Sequence, residues 1–262
     1  MSVLYKYCDQ LGAVKILGSL ELKMPNVIDV NDPLECRPVF WQRNDTDKYK
    51  QCPQNKQEVV QSCSQKHLSK NDLDVVYSRW EAHRQRSYLV SVSGCCNKSV
   101  MWAHYADKHK GVVIGIDFNE IRIPFYELIP KEVNYSDFRL KIDILAPLSV
   151  ECFQQAMYSK SMDWRYENEF RCVCSEFELE RWEKKGFTRF GFSGEKKSCF
   201  LRLNHQCIKE IIWGLYTEEA LEVTVRKLLS CPELQHVKLY QVKESDECDF
   251  DVIDPETGLS VR

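Results

Sequence analysis

Several features that mark common enzyme classes are missing from this 262-residue chain, and each absence narrows what it can do. There is no G-x-S-x-G and no G-x-x-x-x-G-K-[ST], which excludes a serine-hydrolase elbow and a Walker phosphate loop. A His-Glu-x-x-His zinc motif is absent too. Glycine is scarce at 10 residues, which weighs against a glycine-rich phosphate cradle. No apolar run approaches the length of a membrane span. The opening Met1–Tyr7 lacks the long apolar core of a secretion signal. Charge of one sign is not in excess: 36 basic and 39 acidic residues give a net −3, so nucleic-acid binding would need a local basic patch. The densest basic cluster, Lys196-Lys197, reads as a solvated face.

What is present is a chain built to fold. Hydrophobic residues make up 44%, charged residues 29% and aromatics 11%, a composition that can bury a sizeable core. The 13 cysteines are odd in number and contain no C-x-x-C pair. Neither Cys95-Cys96 nor Cys172-Val173-Cys174 has disulfide-scaffold spacing, and adjacent cysteines rarely bridge. They read as reduced, buried small hydrophobes of a cytoplasmic protein. Cys95, Cys96, His104 and His109 lack the spacing of a structural zinc site, and no metal is predicted.

Val3–Tyr7 reads as a strand, followed by an Asp9-capped helix to Ser19 with Leu11, Val14, Leu17 and Leu20 as its buried stripe. Glu21–Met24 is a second strand, and Asn31-Asp32-Pro33 a turn or helix start. Residues 41–74, rich in Gln, Asn and Lys, form a polar, partly helical surface insertion. Strands follow at Tyr88–Ser93, Val112–Phe118 (apolar on both faces and therefore central) and Glu132–Tyr135. A Ser99-capped short helix precedes the central strand, and Val150–Ser159 is helical. Strands at Phe170–Cys174, Ile208–Trp213 and Val237–Val242 complete the pattern. A helix from Thr217 joins the last two as a βαβ unit, its charge bias matching the helix dipole. The acidic tail from Glu244 should fray. The sum is an α+β fold: a single domain over 1–262, with a mixed β-sheet flanked by helices.

Three constellations could carry chemistry. In Met101–Gly111, Trp102 and Tyr105 lie one helical turn apart, as do His104 and Asp107; a carboxylate beside the imidazole would suit a general base. In Trp164–Cys174, an extended chain puts Glu167, Glu169 and Arg171 on one face and Phe170, Cys172 and Cys174 on the other. A helical chain would instead pair Glu167 with Arg171. In Leu4-Tyr5-Lys6-Tyr7, the tyrosines share one strand face, and Lys6 could partner the carboxylates or contact a phosphate. Each set also has a purely structural reading as core aromatics and ion pairs.

These motifs carry a resemblance. Leu4–Tyr7, Asn31-Asp32-Pro33, the block Met101–Phe118, Lys160…Trp164…Tyr166–Arg171 and Ile211–Gly214 resemble a bacterial family of unknown function that includes the AbiGi-type abortive-infection proteins. The resemblance spans residues 3 to 243 and departs from the family in 41–74 and in its cysteine content. It implies a place in phage defence. The layout is also similar to ADP-ribosyltransferase-like domains. That analogy implies NAD as the bound nucleotide, with Glu169, His104 and Tyr105 catalytic. Glu169 would orient the ribose and stabilise an oxocarbenium-like transition state, Tyr105 or Tyr5 would stack the nicotinamide, and His104 would contact the adenosine-side ribose. Tyr5, Lys6, Trp102 and Arg171 are the expected cofactor-binding residues. Competing expectations are a metal-dependent nuclease using Asp107, Asp117, Glu167 and Glu169, and a non-catalytic sensor or interaction module. The expected partner is a nucleotide or nucleic-acid substrate, with no membrane contact.

Overall fold

The computed structural model describes residues 3–41, 70–124, 126–144 and 148–262. Most of the expected insertion, 42–69, lies outside the described residues. The architecture is α+β, organised by one eight-stranded mixed sheet. Its strands are β1 (Leu4–Cys8), β2 (Ser87–Ser93), β3 (Val112–Ile116), β4 (Lys131–Glu132), β5 (Glu169–Ser175), β6 (Ile208–Trp213), β7 (Lys238–Glu244) and β8 (Phe250–Ile253). Their order across the sheet is β8-β7-β6-β3-β1-β2-β5-β4. All neighbours are antiparallel except β6 and β7, the pair joined by the expected crossover helix. The interior position of β3 follows from Val112–Ile116, buried on both faces.

Two-residue alternation assigns the sheet's faces. Leu4 and Cys8, Tyr88, Val90 and Val92, Ile114 and Ile116, and Cys172 and Cys174 point into one large core. That core is covered by α1 (Gln10–Ser19), α5 (Glu176–Glu183) and α6 (Glu219–Leu229). The opposite face carries two separate clusters. Tyr5, Tyr7, Val113 and Ile212 pack with Trp102 of α3 (Ser99–Tyr105). Leu89 packs instead with Trp80 of α2 (Lys70–Gln85) and with Ala156 and Met157 of α4 (Val150–Met157).

The gap between those two clusters has a cause in the backbone. β1 and β2 share a single register pair, Tyr5 with Ser93, whereas β2 and β5 stay paired from Glu169–Ser93 to Ser175–Ser87. The sheet therefore splays between β1 and β2. Lys6 reaches across, its Nζ donating to the Ser91 carbonyl at 2.9 Å.

Several local expectations are corrected. In α1 the buried residues are Ala13, Ile16 and Leu17, while Leu11 is 62% exposed. Residues spaced by three drift about 60° per step around a helix, so a three-residue stripe cannot stay on one face. Asp32 makes a turn, accepting from Leu34 N at 2.8 Å, with no helix after it. Lys98, not Ser99, occupies the cap position of α3. Helix α6 starts at Glu219 because the Thr217 hydroxyl is engaged elsewhere, donating to Gly111 O at 2.9 Å. The tail does not fray at once. Phe250–Ile253 adds the edge strand β8, and Arg262 clasps the buried Glu210 at 2.7 and 3.0 Å. A hairpin not expected from the pattern, Thr188–Ser193 with Lys196–Arg202, pairs with Glu21–Pro25 in a smaller sheet. The 11 described cysteines are free, and burial pushes the thiols of Cys172, Cys174 and Cys207 up, as befits inert core groups.

Candidate functional site

The segment that leads into β3 builds one wall of the site. After α3 the chain passes through three consecutive left-handed residues, Asp107, Lys108 and His109, with φ of 49°, 52° and 68°. Non-glycine residues take this conformation only when their surroundings over-determine it. Gly111 and Gly214 supply the constraint. A Cβ on Gly111 would lie 2.1 Å from Cys8 O, and one on Gly214 would lie 2.2 Å from His109 O. Tyr216 N donates to the same His109 carbonyl at 3.0 Å. The two distant motifs are thus one backbone joint, which holds α3 over the splay in the sheet.

The other wall comes from the chain before β5. Met162–Glu167 is a 3-10 turn capped by the Ser161 side chain, and Asn168 takes φ 43° before the strand starts at Glu169. Glu169 and Arg171 share a strand face as expected. Glu167 stands outside the strand, yet its side chain turns toward the same place.

Between the walls lies a hollow of about 270 Å³ lined by Tyr5, Lys6, Tyr7, Tyr105, Lys160 and Glu167, with Glu35 and Glu169 deeper in it. Its floor is a buried ionic cluster. Lys160 Nζ donates to Glu167 Oε2 at 2.5 Å and to Glu169 Oε2 at 2.9 Å, and stands 3.6 Å from Glu35 Oε2. Arg171 grips Glu169 with Nε at 2.7 Å and Nη2 at 2.8 Å, bonds Glu35, and donates from Nη1 to the Met157 carbonyl at 2.7 Å. The Tyr105 hydroxyl donates to Glu167 Oε1 at 2.6 Å and accepts from Asn31 Nδ2 at 3.0 Å.

Three carboxylates therefore face two cations, leaving one negative charge that the Lys6 ammonium approaches from the splay. Burial raises the Glu169 carboxyl above its usual range, against the pull of Lys160. Burial also opposes charge on Lys160, but Glu169 and Glu167 outweigh it and hold its ammonium firmly protonated. Burial lowers Lys6. The Tyr105 phenol is raised by burial and then by Glu167, so it stays a donor. Glu35 Oε2 is buried without a hydrogen-bond partner, an acceptor left open inside the site.

The structure sorts the sequence candidates. Tyr5, Lys6, Tyr105 and Glu169 line the hollow. Glu169 is tightly engaged, however: its carboxylate accepts from Arg171 and Lys160 and is also bonded by the Ser91 side chain. His104 does not enter. It is exposed, its Nδ1 lies 3.2 Å from the Tyr166 hydroxyl, and it borders an adjoining groove of about 1160 Å³ that shares Lys6, Tyr7 and Tyr105 with the hollow. Asp107 is not its partner, because the left-handed turn ends the helical spacing. Trp102 is fully buried, with Nε1 donating to Cys96 O at 2.8 Å and its ring edge-on to Tyr7. It has no face for a cofactor. Arg171 is likewise fully buried, with its guanidinium consumed by the cluster. These two are parts of the frame.

Sequence reasoning missed Glu35 and Lys160, and it gave Glu167 a lesser part than Glu169. No periodicity could have joined Glu35 to Arg171, 136 positions away. Lys160 stood in a motif segment, which was its only signal.

The matched family is one without an assigned activity. Residues 101–172 match the family model of a protein of unknown function, DUF2971. No curated protein and no solved structure matches the chain. The DUF2971 segment contains Tyr105, Lys160, Glu167, Glu169 and Arg171, while Tyr5, Lys6 and Glu35 come from outside it. Among the described residues, no helix is long and apolar enough to cross a membrane.

Proposed function

We propose that the hollow is an active site for nucleotide chemistry at a ribosyl carbon, with ADP-ribosyl transfer from NAD as the reaction. The observation that carries this reading is the excess carboxylate at the mouth of the cluster. Glu167 is held between the Tyr105 hydroxyl and the Lys160 ammonium, beside a wall of tyrosines. When the bond from nicotinamide to ribose breaks, its electron pair leaves with the nicotinamide and the ribosyl carbon becomes cation-like. A fixed carboxylate in a water-poor hollow stabilises that charge more than it stabilises the ground state. An acceptor nucleophile then forms the new bond to the ribosyl carbon and gives up its proton to solvent.

The roles shift from those expected for the family layout. Glu167 takes the part assigned to Glu169, which is neutralised by its clasp. Tyr5 and Tyr105 are the rings available to stack on the nicotinamide. A hollow of about 270 Å³ suits a nicotinamide riboside end, and the adjoining groove offers Lys6, Lys15, Lys23 and His104 to the phosphates and second ribose. A metal-dependent nuclease is less well supported, because among the described residues Asp107, Asp117, Glu167 and Glu169 do not gather into a group whose oxygens could share one ion. The resemblance to abortive-infection proteins supplies the setting, an effector in phage defence.

The test is release of nicotinamide from NAD on incubation with purified protein and cell extract. Glu167→Gln should abolish release while circular dichroism shows the fold intact. Absence of release with bacterial and phage-infected extracts alike would reject the reading. Loss of cellular toxicity only in proportion to lost stability would favour a non-catalytic module.

A further inference from the structure

A second cluster lies away from the hollow, at the start of β6. His205 opens the short turn His205–Cys207, whose cap is the Asn204 side chain accepting from Cys207 N at 3.1 Å. Cys231 precedes the turn Pro232–Leu234, where proline fixes the first backbone angle. Both turns are anchored from beneath, since Cys207 and Leu234 are core residues. His236 adds a tie, with Nε2 lying 2.9 Å from Ile208 O. The side chains above these anchors converge. One ligand-type atom from each of His205, Cys231 and Glu233 lies within 4.8 Å of the others, and the Cys231 thiol points at Glu233 Oε2 from 2.5 Å.

We propose that His205, Cys231 and Glu233 form a three-ligand site for a divalent cation of the zinc type. The donor set argues for the class of ion. Imidazole nitrogen, thiolate sulfur and carboxylate oxygen together select a borderline-soft metal over Mg²⁺ or Ca²⁺. One thiolate and one carboxylate supply two negative charges, which balance M²⁺ without further protein charge. On binding, Cys231 gives its thiol proton to solvent as the sulfur–metal bond forms, and no redox change occurs. The cavity of about 410 Å³ beside the cluster, bordered by Glu120, Asn204 and Gln206, leaves a fourth position for water or an incoming ligand. The consequence is structural: the ion ties the turn that starts β6 to the turn that follows α6, bracing the βαβ unit from its open end.

The experiment uses the full chain after treatment with a chelator, followed by Co²⁺ or Zn²⁺ alone. One equivalent of Co²⁺ should give a near-ultraviolet thiolate-to-metal band, and Zn²⁺ should raise the melting temperature and displace the Co²⁺. Cys231→Ser should remove the band. His205→Ala and Glu233→Gln should each weaken Zn²⁺ by about a hundredfold or more, because losing even an outer partner of a ligand costs 10- to 100-fold. Surface substitutions at these positions should leave the metal-free melting temperature unchanged. No band in the parent chain, or a band that survives Cys231→Ser, overturns the proposal. Neither outcome bears on nicotinamide release from the hollow.

Discussion

The Tyr105 hydroxyl donates to Glu167 Oε1 at 2.6 Å, joining residues 62 positions apart across the mouth of the hollow. This bond ties the helix before the central strand to the turn before β5, and it fixes the carboxylate that the proposed reaction uses. Hydrogen bonds to charged groups are worth about 1.5–3 kcal/mol. Tyr105→Phe should therefore lower nicotinamide release by about tenfold to a hundredfold, with the fold intact by circular dichroism. Unchanged turnover in that variant would remove Tyr105 from the site.

Glu169 and Glu167 should respond differently to the same change. Glu169→Gln leaves the Arg171 guanidinium without its bidentate partner in a dry setting, and breaking such a buried pair costs about 3–5 kcal/mol. Urea unfolding should show that loss. Glu167 bonds the Tyr105 hydroxyl and the buried Lys160 but not Arg171, so Glu167→Gln should cost some stability, less than Glu169→Gln, and nearly all activity. Equal stability losses in the two variants would show that both acids are merely structural.

The glycines of the joint admit a sharp comparison. Gly214→Ala drives a methyl against the His109 carbonyl, where the gap is 2.2 Å, and the backbone of the left-handed turn must move. The protein should become insoluble or lose several degrees of melting temperature. Gly18→Ala, in α1, meets only Leu228 Cδ2 at an ordinary 3.9 Å. It should stabilise by about 0.5–1 kcal/mol through the unfolded chain and the helix preference for alanine. A destabilising Gly18→Ala would mean that the packing of α1 on α6 has no room to spare.

His109 sets an acid limit. Its ring packs edge-on against Tyr216 and Phe250, its Nδ1 has no hydrogen-bond partner, and burial lowers its pKa below the usual 6.5. The unfolded chain then binds the proton first as pH falls. The stability contributed by neutral His109 is present above pH 6.5 and drains away as pH drops through its folded value. Melting temperature measured across this window should fall in the parent and fall less steeply in His109→Gln. Parallel curves would locate the acid sensitivity elsewhere.

How much of this was legible in the chain depends on the range of the interaction concerned. The central place of Val112–Ile116 could be read from an apolar run, and the βαβ unit from helix-end charges, because both signals are local. The alternation from Glu169 onward correctly gave one polar and one apolar strand face. Trp102 was misjudged as a cofactor contact, because helical spacing says which residues share a side but not whether that side faces a ligand or the core. His104 and Asp107 were misjudged as a pair for a related reason: the spacing argument assumes the helix continues, and the left-handed turn stops it.

The sequence by itself determined the class of fold, the order of most elements and the polarity of their faces, since these follow from local periodicity and from which side chains can be desolvated. Only the tertiary structure decided which acid meets Arg171 and which meets Tyr105. That choice rests on Lys160, Glu35 and Arg171 meeting in a splay between two strands, and charges brought together by a backbone path leave no pattern along the chain.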